Sequence, residues 1–226
     1  MKKRFLLGRF ADNDIASRKA RVTGFASKFL AGMAVNKAVY SEAIAAGPRG
    51  DGFGFDFLME AWLDEADAAF DAERAVKAAR AAGIHPEQSR TVLAVEHVIK
   101  PGSAAVKGTF LSKRRPNSTV AEYLAYWRGP HADIIQAQAD FFSFVRAYVQ
   151  NHFVPGSFVT VAGKGLAQED AFDGSPQMWF DTPDDIHRAF ATEGYKRHIK
   201  EDEKILVKVG YSQSFIAREH PVTLET

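Results

Sequence analysis

The sequence predicts an α+β protein: two tandem ferredoxin-like repeats, each β-α-β-β-α-β, whose antiparallel sheets pack face to face as an α+β barrel. Three observations predict it. Strand-like and helix-like segments follow one another in the same order in both halves of the 226 residues. Short stretches match between the halves at corresponding places. A four-stranded sheet with both helices on one face leaves its other face apolar, and a second copy on the same chain can cover that face.

The elements follow in order. Residues 3–10 alternate loosely and suit a strand, and residues 14–27 suit a short helix. Met33 to Val39 is strand-like. The run Gly47-Pro48-Arg49-Gly50-Asp51-Gly52-Phe53-Gly54 predicts a turn or bulge, with Arg49-Gly50-Asp51 read as a turn. Phe55 to Leu63 is an aromatic strand. Ala66 to Ala82 is alanine-rich and helical, with Gly83 placed to end it. Thr91 to Ile99 is a β-branched strand.

In the second half, Val106 to Ser112 is strand-like. A helix begins at Thr119, where Thr119 and Glu122 have the spacing of a capping box. Val145 to Val154 and Gln177 to Asp181 are strands. Thr182-Pro183-Asp184-Asp185 reads as an N-cap, a proline at N1 and first-turn acids. Lys208 to Ala217 closes the order. Lys3 to Leu7 aligns with Lys107 to Leu111, Asn36 to Val39 with Asn151 to Val154, and Trp62 with Trp179. Three matches in sequence order indicate duplication. They divide the chain into residues 1–102, a degenerate structural repeat, and residues 103–226, the repeat that carries the site.

Composition narrows the function. With no cysteine there are no disulfides, thiol nucleophiles, thiolate zinc sites or iron–sulfur clusters. The 29 basic and 28 acidic residues nearly cancel, so nothing in the charge points to nucleic acid. No apolar run reaches the roughly 18 residues of a membrane span. The start, Met1 to Gly8, is too short in apolar residues for a signal peptide. The expected setting is the cytoplasm. Eighteen phenylalanines suggest an interior able to hold something flat and apolar.

The richest segment runs from Lys113 to Asp140. Val120, Tyr123, Leu124 and Trp127 fall on one helical stripe, and His131, eleven residues after Val120, continues it. Pro130 predicts a kink or a restart, leaving His131 in a first turn. Burial and a helix N-terminus would both keep that imidazole neutral, as a general base requires. The plainer reading is a core histidine. In the strand from Tyr148 to Phe153, Tyr148, Gln150 and His152 share one face and Val149, Asn151 and Phe153 the other. Either set could join His131 and Trp127. His198 and Asp202 have a chelating spacing, but among so many charges they read as a surface pair. No metal site and no Gly-x-Ser-x-Gly elbow is expected.

Arg114-Arg115-Pro116, Thr119-Val120-Ala121-Glu122-Tyr123, Tyr126-Trp127-Arg128-Gly129-Pro130-His131 and Tyr148-Val149-Gln150-Asn151-His152 together resemble the EthD family, which is similar in fold to the dimeric α+β barrel enzymes. The family's Trp-x-x-x-His helix and Tyr-Val-Gln-Asn-His strand both stand intact, and its late Asp-Glu pair matches Asp202-Glu203. The resemblance covers about residues 106–217. The first half has no Trp-x-x-x-His segment, so one site per chain is implied.

The resemblance implies a cofactor-independent lyase, dehydratase or isomerase acting on an aromatic or polyketide-like molecule. His131 and His152 are the catalytic candidates, and Tyr123, Trp127, Arg128, Tyr148 and Asn151 the substrate-binding ones. The alternatives are a cofactor-free monooxygenase using the same base, a non-catalytic small-molecule binding or accessory protein, and a haem-binding barrel. The expected partner is a small aromatic or polycyclic molecule, with no nucleic acid and no membrane. Pairing into a homodimer stays open.

Overall fold

The computed structural model describes residues 1–12, 14–49, 53–64, 70–167, 170–208 and 210–223. The first half runs β1 (Lys2–Gly8), α1 (Arg18–Phe29), β2 (Val35–Ala46), β3 (Phe57–Leu63), α2 (Ala72–Ala81) and β4 (Arg90–Lys100). The second runs β5 (Val106–Leu111), α3 (Val120–Tyr126), α4 (Ala132–Ala137), α5 (Ala139–Phe142), β6 (Ala147–Phe153), the short β7 (Val159–Thr160), β8 (Gly174–Phe180), α6 (Pro183–Ala191), α7 (Lys200–Leu206) and β9 (Gln213–Pro221). A π-helical turn, Trp127–His131, joins α3 to α4, and another, Tyr195–Ile199, leads into α7.

Local chemistry sets the helix ends where the sequence puts them. Thr119 accepts from the Glu122 backbone N–H at 3.2 Å while the Glu122 carboxylate accepts from the Thr119 N–H at 2.8 Å. Such caps contribute about 1 kcal/mol each. Thr182 caps α6 by accepting from the Asp185 backbone N–H at 3.2 Å, with Pro183 at the helix start. Gly83, at φ +61°, turns the chain out of α2. The predicted start of that helix lies partly in residues 65–69, and the predicted Arg49-Gly50-Asp51 turn partly in residues 50–52, outside the described residues. Two bounds move. α1 starts at Arg18 rather than residue 14, and β9 starts at Gln213 rather than Lys208 because α7 continues to Leu206.

The expected α+β barrel is present, and its two four-stranded halves join edge to edge into a single sheet. Eight strands form one closed antiparallel barrel in the order β1-β3-β2-β9-β5-β8-β6-β4, sealed by β1 against β4. Within the halves the orders are β4-β1-β3-β2 and β9-β5-β8-β6. The edge strands meet across the halves, β2 with β9 and β4 with β6. An open sheet edge leaves a row of backbone donors and acceptors unpaired, and closure satisfies them. The short β7 pairs with the beginning of β4.

Three apolar cores follow from the strand alternation. Phe5, Leu7, Leu58, Val92, Leu111, Phe153 and Phe215 fill the barrel interior. Leu6, Met59 and Ala61 face outward under α1 and α2. Val106, Tyr148, Met178 and Ile216 face outward under the helices of the second half.

One end of the interior is ionic. Lys3 Nζ lies 3.0 Å from Glu60 and 2.6 Å from Glu96, and Lys107 Nζ contacts Glu60 and lies 2.8 Å from Glu219. Trp62 and Trp179 donate from Nε1 to Glu96 and Glu219. Each lysine stands opposite one of these tryptophans in the ladder. No helix among the described residues is long and apolar enough to cross a membrane.

Candidate functional site

The site is built on the helix over the second half's sheet. The expected break at Pro130 does not occur. Residues 120–137 stay helical because the backbone widens into the π turn Trp127–His131, with Pro130 inside it. Proline cannot donate to the carbonyl four residues back, and its ring crowds that oxygen. A π turn relieves both problems without ending the helix. His131 therefore sits within a helical run, and no helix N-terminus acts on it. Its place on the inward stripe is as expected: Tyr123, Trp127 and His131 are all buried.

The His131 Nδ1 lies 2.6 Å from one oxygen of Asp202, and the Tyr126 hydroxyl donates to the other oxygen at 2.6 Å. Burial holds the His131 imidazole below its ordinary range, and the Asp202 carboxylate only partly offsets this. Burial raises the Asp202 carboxyl, but the bonds from His131 and Tyr126 outweigh it and leave it below the usual carboxylate range. Near neutral pH the pair is thus a carboxylate and a neutral imidazole. An ionised carboxylate can only accept, so the ring proton stays on Nδ1 and Nε2 keeps its lone pair. Asp202 pairs with His131 and not with His198, which is exposed.

His131 lines a small cavity of about 20 Å³, room for roughly one water. Phe110, Phe141, Tyr148, Met178, Phe190 and Ile199 form its apolar wall, and Ser112, Tyr123, Arg49 and Glu203 its polar part. The Tyr123 hydroxyl is buried beside Ser112. Arg49, from the first half, contacts Glu203 and holds its guanidinium over the rings of Phe110, Phe190 and Tyr195 at 5.3, 5.3 and 5.7 Å. Arg49 and Glu203 also line an outer cleft of about 610 Å³. They stand between the two spaces.

The structure brings together some of the expected site residues. His131, Tyr123, Trp127 and Tyr148 share the inner cavity. Of the two faces of β6, the one with Tyr148, Gln150 and His152 meets the helices. Asn151 points into the barrel, where its amide donates to the Ser175 carbonyl and the Gln177 side chain. His152 lies behind Trp127, stacked on it at 4.7 Å and edge-on to His97 at 4.3 Å, outside the cavity. Burial, with His97 and Arg128 nearby, pushes its imidazole down to about 3. Arg128 is exposed. Sequence reasoning did not single out Tyr126, Arg49 or the phenylalanines of the wall, and it assigned Asp202 and Glu203 no role. Among the described residues no three His, Cys, Asp or Glu side chains gather as for a metal ion.

Residues 115–208 match the model of the EthD domain. The match takes in His131, Tyr126, Asp202 and Glu203 but not Arg49. No match is found among the curated proteins. Among solved structures, an anthrone oxidase-like protein is similar over 100% of this chain and 94% of its own, at 11% identity and TM-score 0.59. A second, "Putative Chlorite dismutase", is similar over 97% of this chain and 94% of its own, at 9% identity and TM-score 0.55. At these identities the likeness shows the α+β barrel fold.

Proposed function

We propose that this chain, which carries an EthD domain over residues 115–208, is a cofactor-independent lyase, dehydratase or isomerase acting on an aromatic or polyketide-like small molecule, with His131 as the general base. The single observation behind this reading is the Tyr126–Asp202–His131 chain, which ends on an aromatic-walled cavity. Nε2 of His131 takes a proton from carbon or from a phenol. In a dehydration the C–H electron pair becomes the new double bond, hydroxide leaves with its own pair, and the proton on Nε2 returns to it as water. In an isomerisation the proton returns to a different carbon. Trp127 supports the base from the neighbouring turn, and Tyr148 forms part of the wall on which a flat ring would lie.

The same reading treats residues 1–102 and 103–226 as tandem ferredoxin-like repeats. The shared strand order and the paired Lys3–Trp62 and Lys107–Trp179 positions support that division. It also carries a cytoplasmic setting and leaves pairing of two chains open.

The test is turnover of a panel of hydroxylated aromatic and polyketide-like compounds by the wild-type protein and by His131→Ala. The variant is expected to keep its fold and its ligand binding and to lose turnover by about 10²-fold or more. Unchanged turnover in His131→Ala removes the assignment. Tight binding with no turnover in the wild type favours the carrier reading.

A further inference from the structure

We propose that Arg49, supplied by the first half, recognises an anionic group on the ligand, so that the site takes aromatic acids in preference to neutral rings of the same shape. The inference rests on the reading of the His131 cavity as a ligand site and adds the chemical class of the ligand.

Arg49 is held as a built part of the site. Its backbone N–H donates to Ser214 Oγ at 3.0 Å, and that hydroxyl donates to the Arg49 carbonyl at 2.5 Å. Gly47 allows the close approach: a Cβ there would lie 2.3 Å from Ser214 Oγ. The side chain leaves this anchor and reaches into the second half, where its guanidinium covers the aromatic wall beside His131.

Its hydrogen bonding is incomplete. One Nη contacts Glu203, while Nε is buried with no acceptor among the described residues. A guanidinium offers a planar fork of donors, and one carboxylate can accept from two of them side by side. Glu203 occupies one arm. A ligand carboxylate entering from the outer cleft could take Nε and Nη together and displace Glu203. The cleft favours such a ligand, because Lys200 lines it together with Arg49, while Lys204, also on its wall, is paired with Glu201. As the guanidinium follows its new partner, the ring of the ligand takes its place over Phe110 and Phe190, next to Nε2 of His131. Glu203 is thus a competitor for Arg49.

The two residues should therefore act with opposite signs. The probes are 2-naphthoate and 2-naphthol, which share a ring system and differ in charge at pH 7, with binding read by calorimetry and tryptophan fluorescence. Wild-type protein is expected to prefer the naphthoate. Arg49→Gln should weaken naphthoate binding about tenfold and barely change naphthol binding. Arg49→Lys should recover part of the loss. Glu203→Gln should tighten naphthoate binding several-fold, which a purely structural Arg49–Glu203 pair would not do. Equal losses for both probes in Arg49→Gln, unchanged or weaker naphthoate binding in Glu203→Gln, or no naphthoate binding by the wild type overturns the proposal. If Arg49→Gln does not fold, the Glu203→Gln result decides. The same titrations in His131→Ala separate the two readings: acid preference without turnover leaves Arg49 in place while the base assignment is judged by rate alone.

Discussion

The carboxylate of Asp202 accepts from two donors at 2.6 Å, the ring of His131 and the hydroxyl of Tyr126. The hydrogen bond to Asp202 raises the Tyr126 hydroxyl to about 12, so it stays a donor at any working pH. Both donors hold the carboxylate in place, and the carboxylate selects the His131 tautomer. In Asp202→Asn the side-chain amide can donate to Nδ1 instead, which moves the ring proton to Nε2 and removes the base. kcat/KM should fall by about 10²- to 10⁴-fold. The pH profile separates this from mere loosening. Asp202 favours the imidazolium, so its neutral replacement should move the acid limb of kcat/KM to lower pH. An acid limb that stays in place or rises would show that Asp202 does not act through His131. Only part of this was legible in the sequence. The stripe pointed to His131, and the Asp-Glu pair was noticed as a family feature. Spacing along α7 suggested a surface pair, because the partner of Asp202 is 71 residues away in the chain.

At the scale of elements, the helix over residues 120–137 rests on β8 and β6 through Trp127. Gly174 in β8 lies directly beneath it: a Cβ there would fall 2.3 Å from Trp127 Cζ3. Gly174→Ala should therefore push the indole outward and carry the π turn with it, costing about 1–3 kcal/mol of stability. The measurement is urea denaturation of Gly174→Ala, Trp127→Phe and the double variant. If the clash is the cause, the smaller ring relieves it and the double variant is more stable than the two single effects would predict when added. Strict additivity would place the cost elsewhere. The stripe, the capping box and the burial of this helix could be read from residue types. Its continuity could not, since Pro130 ordinarily ends a helix and the π turn that absorbs it leaves no periodic mark in the sequence. Arg49 was hidden for a related reason. It lies in a glycine-rich loop without periodicity, and only closure of the barrel along β2 and β9 brings that loop to the second half.

For the whole molecule, the matched segments noticed in the sequence become opposed positions in one ring. Lys3 and Lys107 meet at the shared Glu60, with Trp62–Glu96 on one side and Trp179–Glu219 on the other. The local matches were legible because strand order and inward-facing polar residues repeat. Closure of the edges was not, since backbone pairing between β4 and β6 carries no residue signature. The closed barrel also buries groups that titrate, and this gives the molecule a defined response to acid. Burial holds His97, His131 and His152 below the ordinary histidine value of 6.5, His152 down to about 3. Between those values the unfolded chain binds more protons than the folded one, so stability falls as pH drops below about 6.5. Burial pushes Glu60 up, but Lys107 and Lys3 more than offset this and bring it to about 2, against 4.5 unfolded. Its contribution is complete above 4.5 and is lost as pH falls from there toward 2. The urea midpoint should be level above pH 7, decline from about 6.5, and decline more steeply below about 4.5. His152→Phe keeps an aromatic ring against Trp127 but cannot take up a proton, so it should make the first decline shallower and leave the second. A wild-type midpoint that is constant from pH 7 to 5 would show that the buried imidazoles do not set the acid limit of this barrel, and a His152→Phe curve parallel to the wild-type one would show that His152 is not among those that do.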